Sequence, residues 1–286
     1  MQFASIDTYL EDGDKILKPG PVALLFMEDM AETNSTIRHF QQIGFANLVV
    51  LGPPSLQISP ELHDGIIRIG WSPVDGAPVR TIVSQVAELV SGHWLYWGYN
   101  AEYLFYPFSE TRSIGEFTAF VAEERRNTVQ CCVIDLYAPD LATNPDAVSL
   151  KEAHFDTAGY YAVARWRDGE PLERQVDVFG GLRWRFEEHV PHGRRRIDRT
   201  ALFRAEAGLT LTDAFLLTED EYNTYACPWH HSPTATVCSF RAAKTLKSNP
   251  GSSRVIGNFL WPRSEKFSWH SRQLLEHGLM EPGQWF

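Results

Sequence analysis

The chain has 286 residues, 44% of them hydrophobic, and a formal net charge of −10. That apolar content can bury one large core, or one core with a smaller lobe. The acidic balance excludes a general electrostatic attraction to nucleic acid or to an anionic membrane, and no run approaches the length of a transmembrane helix. Four Cys, at 131, 132, 227 and 238, fit free thiols in a reducing compartment. Cys131 and Cys132 are adjacent in an apolar run, so an extended backbone points them to opposite faces. The N-terminus carries acids and lacks a long apolar stretch, so no secretory signal is expected. A cytoplasmic protein is the expectation, with a peripheral position at the inner face of the membrane as its variant.

Taken in order, "PVALLFME" (21–28) predicts a buried strand and "DMAETNSTIRHFQQIGF" (29–45) a helix ended by Gly44. "ANLVVLGPPS" is the next strand, stopped by Gly52-Pro53-Pro54. This is β-α-β in about thirty residues, the spacing of a parallel unit. "DGIIRIGW" predicts a strand, "PVRTIVSQVAELV" a helix, and "HWLYWGY" a strand that breaks at Asn100-Ala101 before "EYLFYPF". "SIGEFTAFVAEER" predicts a helix with a Ser113/Glu116 capping box, and "TVQCCVIDLYAP" a long central strand. Alternation of this kind argues for a mostly parallel sheet flanked by helices, with ligands at the carboxyl ends of its strands. After Pro139 the segments are shorter, aromatic and interrupted by Gly. "TALFRAEAGLTLTDAFLLT" and "TATVCSFRAAKTL" read as strand pairs, and the C-terminus as helices. One domain, 1–286, is expected: residues 21–140 as a nucleotide-binding-like half and 141–286 as an acceptor-side, loop-rich half.

Several residues carry possible chemistry. Asn100 and Glu102 end a strand, where oxygen ligands could hold Mg²⁺ or Mn²⁺ on a diphosphate, although a surface turn has the same composition. Asp135 ends an otherwise apolar strand and needs a partner if buried; it is either a general base or a loop cap. In "GGLRWRF", Gly180 and Gly181 permit close backbone approach. Read as extended, the segment puts Arg183 and Arg185 on one face, suited to phosphate or carboxylate. Arg194-Arg195-Arg196 is a solvated loop or an anion site. Cys227, His230, His231 and Cys238 are zinc-type ligands at no recognised spacing, so packed thiols in a loop fit better. P-loop, G-x-G-x-x-G, H-E-x-x-H and G-x-S-x-G signatures do not occur.

The order "HWLYWGYNAEYLFYP", "SIGEFTAFVAEE", "VQCCVIDLYAPD" resembles bacterial family-2-type glycosyltransferases with a GT-A fold. In those enzymes a strand leads to D-x-D-E-F-L and Tyr-Pro, and a later strand ends acid-hydrophobic-Tyr. "ALLFMEDMAETNSTIRHFQQIGFANLVVLG", "HFDTAGYY", "GGLRWRF", "IDRTALFRAEAG" and "ATVCSFRAAKTL" extend the resemblance in order from about residue 21 to 250. "IDRTALF" sits where the family has a basic residue. The donor-side positions depart from it. Tyr99 and Ala101 replace the D-x-D aspartates, the second strand ends Leu51-Gly52 instead of Asp-Asn, and Ser239 and Arg241 replace the His and Lys of H-F-K.

The resemblance implies sugar transfer from a nucleotide sugar to a saccharide or lipid-linked acceptor. Glu102 and Asp135 would act at the acceptor, and Glu28, Asn100, Gly180, Gly181, Arg183, Arg185, Ser239 and Arg241 around the donor. Loss of both aspartates implies weak or absent dependence on Mn²⁺ or Mg²⁺. The alternative is an inactive scaffold serving as a partner subunit of another glycosyltransferase or as a sugar-binding module.

Overall fold

The computed structural model describes residues 1–285. In chain order the elements are β1 (Gln2–Phe3), α1 (Ile6–Asp12), β2 (Val22–Phe26), α2 (Thr33–Gln42), β3 (Asn47–Gly52), β4 (Ile66–Gly70), α3 (Val79–Leu89) and β5 (Trp94–Tyr99). Next come β6 (Glu102–Phe105), α4 (Ile114–Glu123), β7 (Thr128–Tyr137), β8 (His154–Asp156), β9 (Tyr161–Arg167), β10 (Glu170–Phe179) and α5 (Gly181–Arg185). The remainder are β11 (Asp198–Arg204), β12 (Ala235–Ser239), α6 (Arg241–Ser248), α7 (Pro250–Ser253), β13 (Ser264–Lys266) and α8 (Ser271–Glu276). The chain divides into two compact units, one of Met1–Ala101, Thr111–Gln130 and Thr200–Asn223, the other of Glu102–Glu110, Cys131–Arg199 and Thr224–Phe286.

In the first unit the strands run β1-β4-β3-β2-β5-β11. All pairs are parallel except β5 with β11. β2 is VALLF and β3 is NLVVLG, every residue buried. Such unbroken apolar runs are what a strand covered on both faces requires. Helix α3 turns Ile82, Val83, Val86 and Ala87 inward at helical spacing. They join Val22, Leu24, Phe26, Leu95, Trp97, Tyr99 and Phe203 in one core. Helix α4 starts with the expected capping box: Ser113 Oγ accepts from Glu116 N–H and the Glu116 carboxylate accepts from Ser113 N–H.

The second unit is mixed. β12 pairs parallel with β7 and antiparallel with β6, while β8 pairs antiparallel with β7 and β13. A smaller core gathers Tyr137, Leu182, Ala243, Leu246, Ile256 and Phe259. β9 and β10 form a separate ribbon. Its anchor is Arg165, whose guanidinium donates to Asp177, Gln175, Asp198 and the Val176 carbonyl.

Three expectations change here. "GGLRWRF" is not extended: Gly181–Arg185 is a helical turn, so the inference that Arg183 and Arg185 share a face fails. "TATVCSFRAAKTL" is strand β12 followed by helix α6, not a strand pair. "TALFRAEAGLTLTDAFLLT" supplies β11 and then turns, with one isolated bridge, Leu211 to Leu217. Among the described residues, no helix is long and apolar enough to cross a membrane.

Candidate functional site

The aromatic strand β5 ends at Tyr99, and the two positions expected to hold metal-binding acids are both structural. Tyr99 is 5% exposed in the apolar core, its ring 6.1 Å from those of Phe26 and Trp97. Ala101 is fully buried with φ +57 and donates its N–H to Thr36 Oγ1 at 2.9 Å. A non-glycine residue there costs about 1–2 kcal/mol, so the surrounding bonds must impose the turn. Asn100 does so. Its Oδ1 accepts from Glu28 N–H at 2.9 Å, and its Nδ2 donates to Asp29 Oδ1 at 2.5 Å and to the Ala31 carbonyl at 2.8 Å. Its own N–H reaches the Phe26 carbonyl. Asn100 therefore clamps the loop after β2, and Glu28 enters this arrangement through its backbone N–H.

In the second unit, register aligns three strand ends. Ser239 on β12 pairs with Glu102 on β6 and, on its other side, with Asp135 on β7. Glu102 is 1% exposed and already neutralised: Arg199 Nη2 donates to Oε2 at 2.8 Å and Ser239 Oγ to Oε1 at 3.0 Å. Ser239 Oγ in turn accepts from the Arg241 N–H at the start of α6.

Asp135 differs. Oδ2 accepts from the Leu182 N–H at 3.0 Å, but Oδ1 has no hydrogen-bond partner among the described residues; Arg183 Nε stands 3.6 Å from it. Burial dominates and pushes this carboxyl up to about 6, against the lowering effect of Arg183. A buried carboxyl with an unsatisfied oxygen and a pKa raised toward neutrality is a pattern found at proton-transfer sites. Arg183 is held below the ordinary guanidinium range by burial first, with Arg199 and Arg241 acting in the same direction and Asp135 and Glu102 opposing. It is anchored by a bond from Nη1 to the Arg196 carbonyl.

The glycines explain the close packing. A Cβ on Gly181 would lie 2.9 Å from Asp135 Oδ2, and its φ is +63. A Cβ on Gly180 would lie 2.2 Å from the Tyr160 ring. Arg185, two residues beyond Arg183 on α5, faces elsewhere. It donates to both oxygens of Asp156 at 3.0 and 3.1 Å and to the Phe259 carbonyl at 2.6 Å. Asp156 also accepts from the Tyr137 hydroxyl at 2.5 Å. Arg185 is thus a core tie rather than a partner of Arg183.

The structure thus groups Glu102, Asp135, Gly180, Gly181, Arg183, Ser239 and Arg241, and separates Arg185 from them. Arg199, Tyr160 and Asp156 were not singled out from sequence. The signals were present: a basic residue opening an apolar strand in "IDRTALF", and an acid inside the aromatic "HFDTAGYY". The Arg194–Arg196 run is largely engaged: Arg195 pairs with Glu187, and Arg196 with Asp198 and Asp177.

A divalent cation does not fit the residues at the strand turn. The acid Glu102 is neutralised, Asn100 is committed to the loop, and Tyr99 and Ala101 offer no open ligand. Among the described residues, no cluster of three or more His, Cys, Asp or Glu could hold a metal. Cys227 Sγ lies 3.1 Å from His230 Nδ1, whereas Cys238 is buried within β12, its thiol pushed well up by desolvation. Cys131 is buried and Cys132 half-buried, and all four thiols are free.

No family model matches the chain, and no curated protein matches it. Among solved structures, one resembling it is a Bacillus anthracis protein named as a glucose-1-phosphate thymidylyltransferase, crystallised with sucrose. Identity is 5% over 62% of this chain and 78% of that one, with a TM-score of 0.27, a likeness too slight to carry a functional argument.

Proposed function

We propose that the chain is a glycosyltransferase-like protein that takes a nucleotide sugar without a divalent metal. In this reading Arg183 and Arg241 hold the donor diphosphate, and Asp135 receives a proton from the acceptor hydroxyl. The acceptor oxygen would attack the anomeric carbon as the bond from that carbon to the diphosphate oxygen breaks, its electron pair leaving on the diphosphate. The supporting observation is the buried Oδ1 of Asp135, without a hydrogen-bond partner among the described residues, beside Arg183. The collinear family resemblance supplies the substrate class.

Calorimetric titration with UDP- and GDP-sugars in EDTA tests the reading. Binding that Arg183→Ala removes is expected; no binding of any nucleotide at millimolar concentration overturns it. A second reading, a sugar-recognition module without turnover, draws on the structural use of Asn100 and Glu102. It predicts nucleotide binding with no sugar released or transferred, and equal behaviour of wild type and Asp135→Asn.

A further inference from the structure

The acids of this chain are unevenly placed. Residues 222–264 contain no Asp or Glu, yet they carry Arg241, Lys244, Lys247, Arg254 and Arg263 in a protein whose net charge is −10. The next acid, Glu265, is engaged by His277 and Gln273. Arg254 and Arg263 are exposed, and their side chains make no hydrogen bond or ion pair among the described residues.

Between these two arginines the chain runs over the smaller core. Ile256 and Phe259 point into it. Val255 and Leu260, on either side of that buried pair, are left outside it at 72% and 40% exposure. Looseness does not expose them. Lys247 Nζ donates to the Ser253 and Ile256 carbonyls, Arg185 to the Phe259 carbonyl, and Thr157 to the Arg263 carbonyl. A loop pinned at four carbonyls loses little conformational freedom on binding. One exposed aliphatic is ordinary. Two on a rigid loop, bounded by two uncommitted guanidiniums, call for a partner that is anionic and apolar at once.

A lipid bilayer has both chemistries. Its anionic headgroups attract Arg, and the boundary with the acyl chains takes up Val and Leu. Nucleic acid offers phosphates but no apolar medium for two aliphatic side chains. The acidity of the rest of the chain opposes this only weakly, because charges more than about 8 Å from the contact are largely screened at physiological salt.

We propose that the 254–263 loop is a docking surface for a bilayer containing anionic lipid. Val255 and Leu260 enter the headgroup layer, and Arg254 and Arg263 pair with headgroup phosphates. The proposal is independent of the donor-site reading, since vesicle binding and nucleotide binding are measured separately.

Co-sedimentation tests it, with vesicles of phosphatidylcholine alone and of phosphatidylcholine mixed with phosphatidylglycerol, at low and high salt. Wild type is expected to sediment with the mixed vesicles only, and less at high salt. Arg254→Gln with Arg263→Gln, and separately Val255→Ser with Leu260→Ser, should each weaken binding at least about tenfold. All four side chains are exposed, so the fold should persist, which circular dichroism checks. Lys15→Gln with Arg38→Gln removes the same charge from exposed positions elsewhere and should bind as wild type does. No sedimentation with the mixed vesicles, equal binding to neutral ones, undiminished binding by either loop variant, or an equal loss in the Lys15/Arg38 control would overturn the proposal. Binding to a single-stranded oligonucleotide without vesicle binding would overturn it in favour of a nucleic-acid contact.

Discussion

Asp135→Asn isolates the consequence of burying a carboxyl beneath Gly181. The side chain keeps its shape, and asparagine Oδ1 can still accept the Leu182 N–H that now reaches Asp135. What disappears is a titration. In the folded chain this carboxyl is raised from 3.8 to about 6. A raised acid binds protons more tightly when folded, so its contribution favours the folded state at low pH and is lost as pH rises from the unfolded value through about 6. A displacement of about two pH units corresponds to about 3 kcal/mol over the whole range, of which about 1.4 kcal/mol falls between about pH 5 and pH 8. Every other group is common to both proteins, so the difference between their unfolding free energies should change by that amount, with Asp135→Asn gaining on wild type as pH rises. Urea denaturation followed by circular dichroism across this interval measures it. Parallel stability profiles would show that Asp135 titrates alike folded and unfolded, and would remove the argument for a poised proton acceptor.

Other substitutions separate structural from chemical roles. Tyr99→Asp with Ala101→Asp should destabilise the protein by about 3–5 kcal/mol, since a carboxylate replaces a buried ring beside Phe26 and Trp97. It should bind no Mn²⁺ by calorimetry; a gain of Mn²⁺-dependent nucleotide binding would contradict the structural role assigned to both positions. Arg185→Ala strands the buried Asp156 carboxylate and should cost about 3–5 kcal/mol in chemical denaturation. A near-neutral result would show that Arg185 is not the tie described. Gly180→Ala places a methyl 2.2 Å from the Tyr160 ring. About 1–3 kcal/mol should be lost in a thermal melt, and an unchanged midpoint would mean that the ring moves aside freely.

Local patterns made much of the first unit legible. The apolar runs of β2 and β3, the Ile82/Val83/Val86 stripe of α3 and the Ser113/Glu116 cap are short-range signals, set by periodicity and by side chains three or four residues apart. Asp135 also stood out, because an acid at the end of an apolar strand is anomalous in any fold. The orientation of "GGLRWRF" was not legible. Five residues after two glycines carry no reliable period, and whether Arg183 and Arg185 share a face depends on the conformation the tertiary structure imposes.

The sequence by itself determined the alternation of strands and helices, the placing of Tyr99 and Ala101 at the end of an apolar strand, and the pairing of glycines at 180 and 181. Only the tertiary structure decided which charges are spent. Arg199 lies 97 residues from the Glu102 it neutralises, and Asn100 lies 71 from the Asp29 it clamps. Such partners are chosen by strand register and chain crossing, which leave no trace in local spacing. The same register puts Ser239 between Glu102 and Asp135, and of those two acids Glu102 has both oxygens bonded while Asp135 keeps one unsatisfied.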